Sequence, residues 1–124
     1  MNELKLKESN FGWPEIIMNK EQCEFSIIGH MYNCEKEFYQ PVFNWIEKYT
    51  QNANDSTLLV LKIETYNTCT LYILLDLLNL FKNLLPEDKT FEVIWYYPED
   101  NQDIYEDGED LSIETGISFK IIAY

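Results

Sequence analysis

The sequence predicts an α/β fold, a mixed β-sheet of about five strands with helices packed against it. Three observations carry this. Short runs rich in β-branched and aromatic residues alternate along the chain with longer segments whose apolar residues recur at spacings of three and four. Strands that alternate with helices imply βαβ crossovers, and right-handed connections then lay the helices against the sheet. A length of 124 residues with 46% apolar side chains is enough for one core. No repeat, low-complexity tract or Gly/Ser linker divides the chain, so residues 1–124 are expected to form one domain.

The elements follow in order. Residues 14–18 and 24–32 (EFSIIGHMY) form two short strands joined by the polar turn Asn19-Lys20-Glu21, a hairpin pattern. In 35–50, Phe38, Val42, Trp45, Ile46 and Tyr49 stack along one helical face. Pro41 falls inside that pattern, so the regular helix is expected to begin there, at the position where a missing N–H costs least. Residues 57–63 (TLLVLKI) are almost continuously apolar, as in a central strand covered on both faces.

The segment 71–85 is too long and too Leu-rich for a strand, and Asp76, Asn79 and Asn83 trace a narrow wet stripe along a helix. Its apolar side spans roughly 180°, wider than the ~100° needed to dock on one sheet. Ile73, Leu80 and Leu84 therefore need a cover. The neighbouring helix is one candidate; another protein, or a second copy of the chain in a homodimer, is the other. Residues 91–97 (FEVIWYY) and 117–123 (ISFKIIA) complete the strands.

Charge narrows the partners. Twenty-two acidic residues against nine basic ones give a formal charge of -13, which repels phosphate backbones and anionic headgroups. Nucleic acid and membrane surfaces are excluded as expected partners. The start, MNELKLKESN, has no uninterrupted apolar stretch of the kind a signal peptide or spanning helix requires, which points to the cytoplasm. Cys23, Cys34 and Cys69, odd in number and unrelated in spacing, read as free thiols with no structural disulfide. A zinc site from Cys23, His30 and Cys34 lacks a paired motif and a fourth ligand.

Residues 98–115 (PEDNQDIYEDGEDLSIET) hold eight carboxylates and no basic residue. Read as a calcium loop, Asp103, Asp107, Gly108 and Glu114 take suitable places, but Tyr105 stands where an oxygen ligand is needed and Asp110 where an apolar residue belongs. The alternative is a solvated helix with Ile104, Leu111 and Tyr105 inward and early acids near its positive end. A third is a surface that meets a basic partner.

Catalytic signatures are sparse: no phosphate-binding loop, no dinucleotide fingerprint, no nucleophile elbow, and one histidine. No cofactor is expected. His30 and Cys69 form a thiolate pair only if the fold joins them, with Cys69 gaining acidity from a helix start. A small acidic metal-binding domain or a cysteine-dependent enzyme is the competing class.

The stretch YNTCT, residues 66–70, lies where a buried strand ends and a helix begins. Asn67, Thr68 or Thr70 is expected to cap the first free N–H groups, contributing about 1 kcal/mol. The same helix start accommodates a phosphothreonine, which adds about -1.5 to -2 charge and, under a docked partner, forces that partner off.

Four segments resemble the SiaC-type regulatory phosphoproteins of bacteria, small single-domain proteins with a fold like that of STAS domains, the anti-sigma-factor antagonists. The carriers are WPEIIMN at 13–19, GHMY with EFYQPVFNWIEKY across 29–49, YNTCT at 66–70, and WYYPEDNQDIYEDGEDLS at 95–112. The resemblance implies a non-enzymatic partner switch with a STAS-like mixed sheet. A cognate serine/threonine kinase phosphorylates a threonine, a phosphatase reverses it, and the unmodified form binds and activates a diguanylate cyclase. The family's Asn-Thr-Ser-Ser segment matches as Asn67-Thr68-Cys69-Thr70, which makes Thr68 the implied phosphoacceptor. Both serines are replaced, and Asn33-Cys34 stands where the family usually has Pro-Glu. The resemblance also turns the acidic segment into a shared structural feature and favours Ile73, Leu80 and Leu84 as a partner-binding face.

Overall fold

The computed structural model describes residues 1–7 and 12–124, so residues 8–10 of the charged amino-terminal stretch lie outside the described residues. Among the described residues the order is β1 (Leu4–Leu6), β2 (Glu15–Asn19), β3 (Glu24–Met31), α1 (Lys36–Thr50), β4 (Ser56–Tyr66), α2 (Thr68–Leu84), β5 (Thr90–Tyr97), α3 (Gln102–Thr115) and β6 (Ser118–Ala123). The strands form one six-stranded sheet in the order of the sequence. β1, β2 and β3 pair antiparallel, while β3, β4, β5 and β6 pair parallel. The mixed α/β class is thus the one predicted, with one more strand than expected. β1 is only three residues long, too short for its Leu4/Leu6 alternation to announce a strand; pairing with β2 makes it one.

Register explains the core. Met18, Phe25, Leu59 and Val93 lie side by side across four strands, and Ile16, Ile27, Leu61 and Trp95 form a second row two residues along. All eight are buried. Because side chains alternate across a sheet, both rows project from one face. Three consecutive right-handed crossovers, each advancing one strand in the same direction, put α1, α2 and α3 on that face. The helices pack there as neighbours, α1 on α2 and α2 on α3.

This corrects the expectation for 57–63. β4 is covered on one face only: Thr57, Leu59, Leu61 and Ile63 are buried, whereas Leu58 is 39% exposed. A strand order that never reverses leaves no crossover to cover the other face. The continuous apolar run came from Leu58 and Val60 on the open side, where Lys62 continues the row and lies 4.5 Å from the centre of the Tyr124 ring.

Pro41 also departs from expectation, because α1 begins at Lys36 and carries Pro41 inside. Proline removes the hydrogen bond to the Glu37 carbonyl. Both residues are exposed, so the loss falls on the solvent side of the helix, where it costs least. The buried stripe of α1 is Tyr39, Val42, Trp45, Ile46 and Tyr49; Phe38 is half-buried and stacks on Trp13 at 4.3 Å. Polar atoms of the stripe are satisfied: Trp45 Nε1 donates to the Asn2 carbonyl at 2.8 Å, and the Tyr49 hydroxyl meets Thr57 Oγ1 at 2.7 Å.

Residues 102–115 form α3, so the calcium-loop reading fails: Asp103, Asp107 and Glu114 are strung along a helix instead of wrapping a loop. Ile104 and Leu111 are buried, as expected of its inner face, and Tyr105 packs on Tyr97 at 5.1 Å. Gly108 has a different task from a turn glycine. A Cβ there would lie 2.6 Å from Trp95 Nε1, and that nitrogen already donates to the Ile104 carbonyl at 2.9 Å. The missing side chain lets α3 rest on the indole.

Candidate functional site

Parallel neighbours finish at the same edge of a sheet. β3 and β4 end in register, Met31 beside Tyr66, so the loop into α1 and the start of α2 emerge together. Asn67 is extended, with φ -130° and ψ -179°, and caps α2. Its Oδ1 accepts from the Thr70 N–H at 2.9 Å, while Thr70 Oγ1 accepts from the Asn67 N–H at 2.9 Å. This reciprocal pair is a capping box with threonine at the third helical position. Thr70 is fully buried beneath it. The polar junction predicted as a cap is therefore one, divided between Asn67 and Thr70.

Two further ties fasten this helix start to the loop after β3. Asn67 Nδ2 donates to the Tyr32 carbonyl at 2.7 Å. Cys34 and Cys69 are joined by a disulfide across a Cα separation of 6.0 Å. This overturns the expectation of three free thiols; among the described residues Cys23 alone is free, and it is exposed. The cause is register. Cys34 lies three residues past Met31 and Cys69 three residues past Tyr66, so strands paired at those two residues deliver both cysteines to the same place.

Thr68 occupies the first helical position, between the cap and the cystine, and is exposed. Among the described residues its hydroxyl makes no hydrogen bond. A groove of about 220 Å³ opens beside it, walled by Leu71, Tyr72, Leu75 and Leu111 and edged by Asp107, Asp110 and Glu114. Tyr72 is 63% exposed. α2 supplies most of the apolar wall, and α3 supplies Leu111 and the acidic edge.

Asp107 ties α3 to the end of β4, just before the cap of α2. Its carboxylate accepts a short hydrogen bond from the Tyr66 hydroxyl at the end of β4. Burial of the ring, then the hydrogen bond to Asp107 and that residue's charge, push the Tyr66 phenol well above the usual tyrosine range. It stays a proton donor at any physiological pH.

The chemistry available here is that of an anion-accepting helix start beside an acidic groove. The cap uses Thr70's N–H, which leaves the Thr68 and Cys69 N–H groups outside the intrahelical ladder at the positive end of α2. Other sequence candidates fall elsewhere. His30 Nδ1 meets Thr65 Oγ1 at 2.7 Å and its Nε2 lies 3.2 Å from Glu64, while the Cys69 sulfur is bonded to Cys34, so no histidine–thiolate pair forms. Cys23, His30 and Cys34 do not converge as zinc ligands either, since Cys34 is committed to the cystine. Ile73 is 8% exposed and belongs to the core, which leaves Leu84, 44% exposed, and half-buried Leu80 from the expected partner-binding face. Those two line a separate shallow groove with Glu47, Thr50 and Gln51. Tyr72 went unrecognised in the sequence and Asp107 was read there only as a calcium-loop residue, because their places depend on how α3 packs beside α2 and the end of β4.

Comparison with known proteins gives a consistent result. Residues 7–124 match the sequence profile of a family described as SiaC family regulatory phosphoprotein. The fold is similar to the crystal structure of apo-SiaC from Pseudomonas aeruginosa, with a TM-score of 0.86 at 21% identity, covering 99% of this chain and 100% of that one. It is also similar to a chain in the crystal structure of the diguanylate cyclase SiaD in complex with its activator SiaC, from the same organism. There the TM-score is 0.88 at 20% identity, covering 98% of this chain and 99% of that one. No curated protein matches the chain at a significant level.

Proposed function

The chain belongs to the SiaC family of regulatory phosphoproteins, and on that premise we propose that it is a non-enzymatic partner switch whose phosphoacceptor is Thr68. In this reading residues 1–124 act as one cytoplasmic regulatory domain. A serine/threonine kinase adds phosphate to Thr68 and a phosphatase removes it. The unmodified form binds and activates a diguanylate cyclase, as the similarity to SiaC, the activator in complex with SiaD, suggests.

The observation that supports this most is the position of Thr68. It is an exposed hydroxyl at the first position of α2, on the edge of a groove with an apolar wall and three carboxylates. Phosphate would add about -1.5 to -2 charge there. The free N–H groups of the helix start favour that charge, whereas Asp107, Asp110 and Glu114 repel it from the groove. A partner that covers Tyr72 and Leu75 while unmodified Thr68 lies beneath it must then desolvate a dianion among carboxylates. The electrostatic cost releases it.

The test is phosphorylation by the cognate kinase with ATP, mapping of the product by mass spectrometry, and titration of the cyclase with each form. Phosphate is expected on Thr68. Thr68→Asp is expected to weaken cyclase binding at least tenfold, about 1.4 kcal/mol, and Thr68→Ala to leave it intact. Phosphate on another residue, or equal binding by both variants and the unmodified chain, overturns the proposal.

A further inference from the structure

We infer that Cys34 and Cys69 form a reversible thiol–disulfide modification site that sets how readily the first turn of α2 opens, and thereby how readily Thr68 reaches a modifying enzyme; the last clause rests on the reading of Thr68 above. The geometry isolates this turn. The capping box of Asn67 and Thr70 brackets Thr68 and Cys69, and Cys69, the residue next to Thr68, is bonded to Cys34. The cystine crosses from α2 to the loop that precedes α1, which Asn67 Nδ2 also grips through the Tyr32 carbonyl. Both links join the same two segments, but only one is covalent. With the cystine intact, the turn cannot leave the loop even when its hydrogen bonds break. With it reduced, the turn is held by the cap and one exposed hydrogen bond, the kind of segment that opens locally far more often than a core helix.

The cystine is also placed for exchange. Cys69 is exposed and Cys34 is half-buried, so an incoming thiolate approaches from the Cys69 side. A glutathione thiolate attacks the Cys69 sulfur, the Cys34–Cys69 bond breaks, and Cys34 leaves as a thiolate that takes up a proton. A second glutathione thiolate attacks the glutathione sulfur of the mixed disulfide. Glutathione disulfide forms, and Cys69 leaves as a thiolate at the positive end of α2, where an anion is favoured. In sum, two glutathione molecules are oxidised to one glutathione disulfide and the cystine is reduced to two thiols. Oxidation by glutathione disulfide runs the same steps backwards. Thr68 lies on the main chain between cap and cystine, so its access to an enzyme cleft that needs extended backbone follows the state of this bond.

Equilibration of the full chain in buffers of varied reduced and oxidised glutathione, quenched with iodoacetamide and weighed by mass spectrometry, tests the site. Cys23 is free and exposed, so it counts as one unpaired cysteine in every buffer, by its label or by the mass of a glutathione mixed disulfide. One unpaired cysteine per chain is expected at the oxidising end and three at the reducing end, with reversal on back-titration. Hydrogen exchange at the Thr70 and Leu71 amides, both bonded to Asn67, is expected to be roughly tenfold or more faster after reduction with dithiothreitol and in Cys34→Ser. The cognate kinase is expected to phosphorylate Thr68 faster in those two forms than in the oxidised chain by a similar factor. Three unpaired cysteines in all buffers, or amide exchange indifferent to the redox state, overturns the site. Equal phosphorylation rates in both states overturn its coupling to Thr68. Absence of phosphate from Thr68 in either state, with the exchange difference present, counts against the phosphoacceptor reading alone.

Discussion

Replacing Asn67 with alanine tests the construction of the site most directly. The substitution removes the Oδ1 that caps the Thr70 N–H at 2.9 Å and the Nδ2 that holds the Tyr32 carbonyl at 2.7 Å. Loss of an N-cap costs about 1 kcal/mol, and an exposed hydrogen bond to a carbonyl lies at the low end of its range, about 0.5 kcal/mol. A loss near 1.5 kcal/mol is expected. For a chain of 124 residues the unfolding entropy is about 0.26 kcal/mol per kelvin, so the midpoint falls by about 6 °C. Thermal and urea denaturation under non-reducing conditions, with the cystine intact, supply the measurement. Thr70→Val serves as the partner variant, because it keeps the buried shape and deletes the hydroxyl bonded to the Asn67 N–H. Since each residue caps the other, the double variant is expected to lose at least about 0.5 kcal/mol less than the two single losses together. A midpoint unmoved by Asn67→Ala, or strictly additive single effects, refutes the reciprocal cap.

Three other outcomes follow from the same geometry. Gly108→Ala places a methyl 2.6 Å from Trp95 Nε1, an indole that is 1% exposed and tied to the Ile104 carbonyl. Overpacking near 3 kcal/mol against a helix-propensity gain near 1 predicts a net loss of about 2 kcal/mol, readable by urea denaturation followed through tryptophan fluorescence. Reduction of the cystine, which closes a loop with a sequence separation of 35, is expected to lower global stability by about 3 to 4 kcal/mol, measured as the difference between denaturation with and without dithiothreitol. Tyr66 predicts an alkaline limit. Its folded pKa lies above the unfolded value, so its contribution is full below about pH 10 and declines as pH rises beyond that. Tyr66→Phe should flatten the fall above pH 10 by at most about 1.4 kcal/mol per pH unit, less with partial screening by water, in denaturation series at fixed ionic strength.

Much of this protein is written in local patterns. The short apolar runs of 14–18 and 24–32 on either side of a polar turn, the three-and-four spacing of Val42, Trp45 and Ile46, and the Leu-rich run from 71 are all local patterns, and neighbours in sequence suffice to reveal them. The polar junction at 66–70 was legible for the same reason, since a cap is an interaction within four residues. The boundaries shifted where local rules compete: α2 begins three residues before the expected Leu71 because the Asn67–Thr70 cap overrides the weak helix propensity of Thr68 and Cys69.

What the tertiary structure alone decided depends on pairing between distant segments. Nothing local distinguishes a strand covered on two faces from one covered on a single face; the uninterrupted strand order decides that by sending every crossover to the same side. The partnership of Cys34 with Cys69, the hold of Asp107 on Tyr66, and the burial of Ile73 all arise because parallel register brings β3 and β4 to a common edge and helix packing sets α3 beside α2. Local sequence determines which face a segment must bury. Only the closed core determines which of the remaining side chains meet.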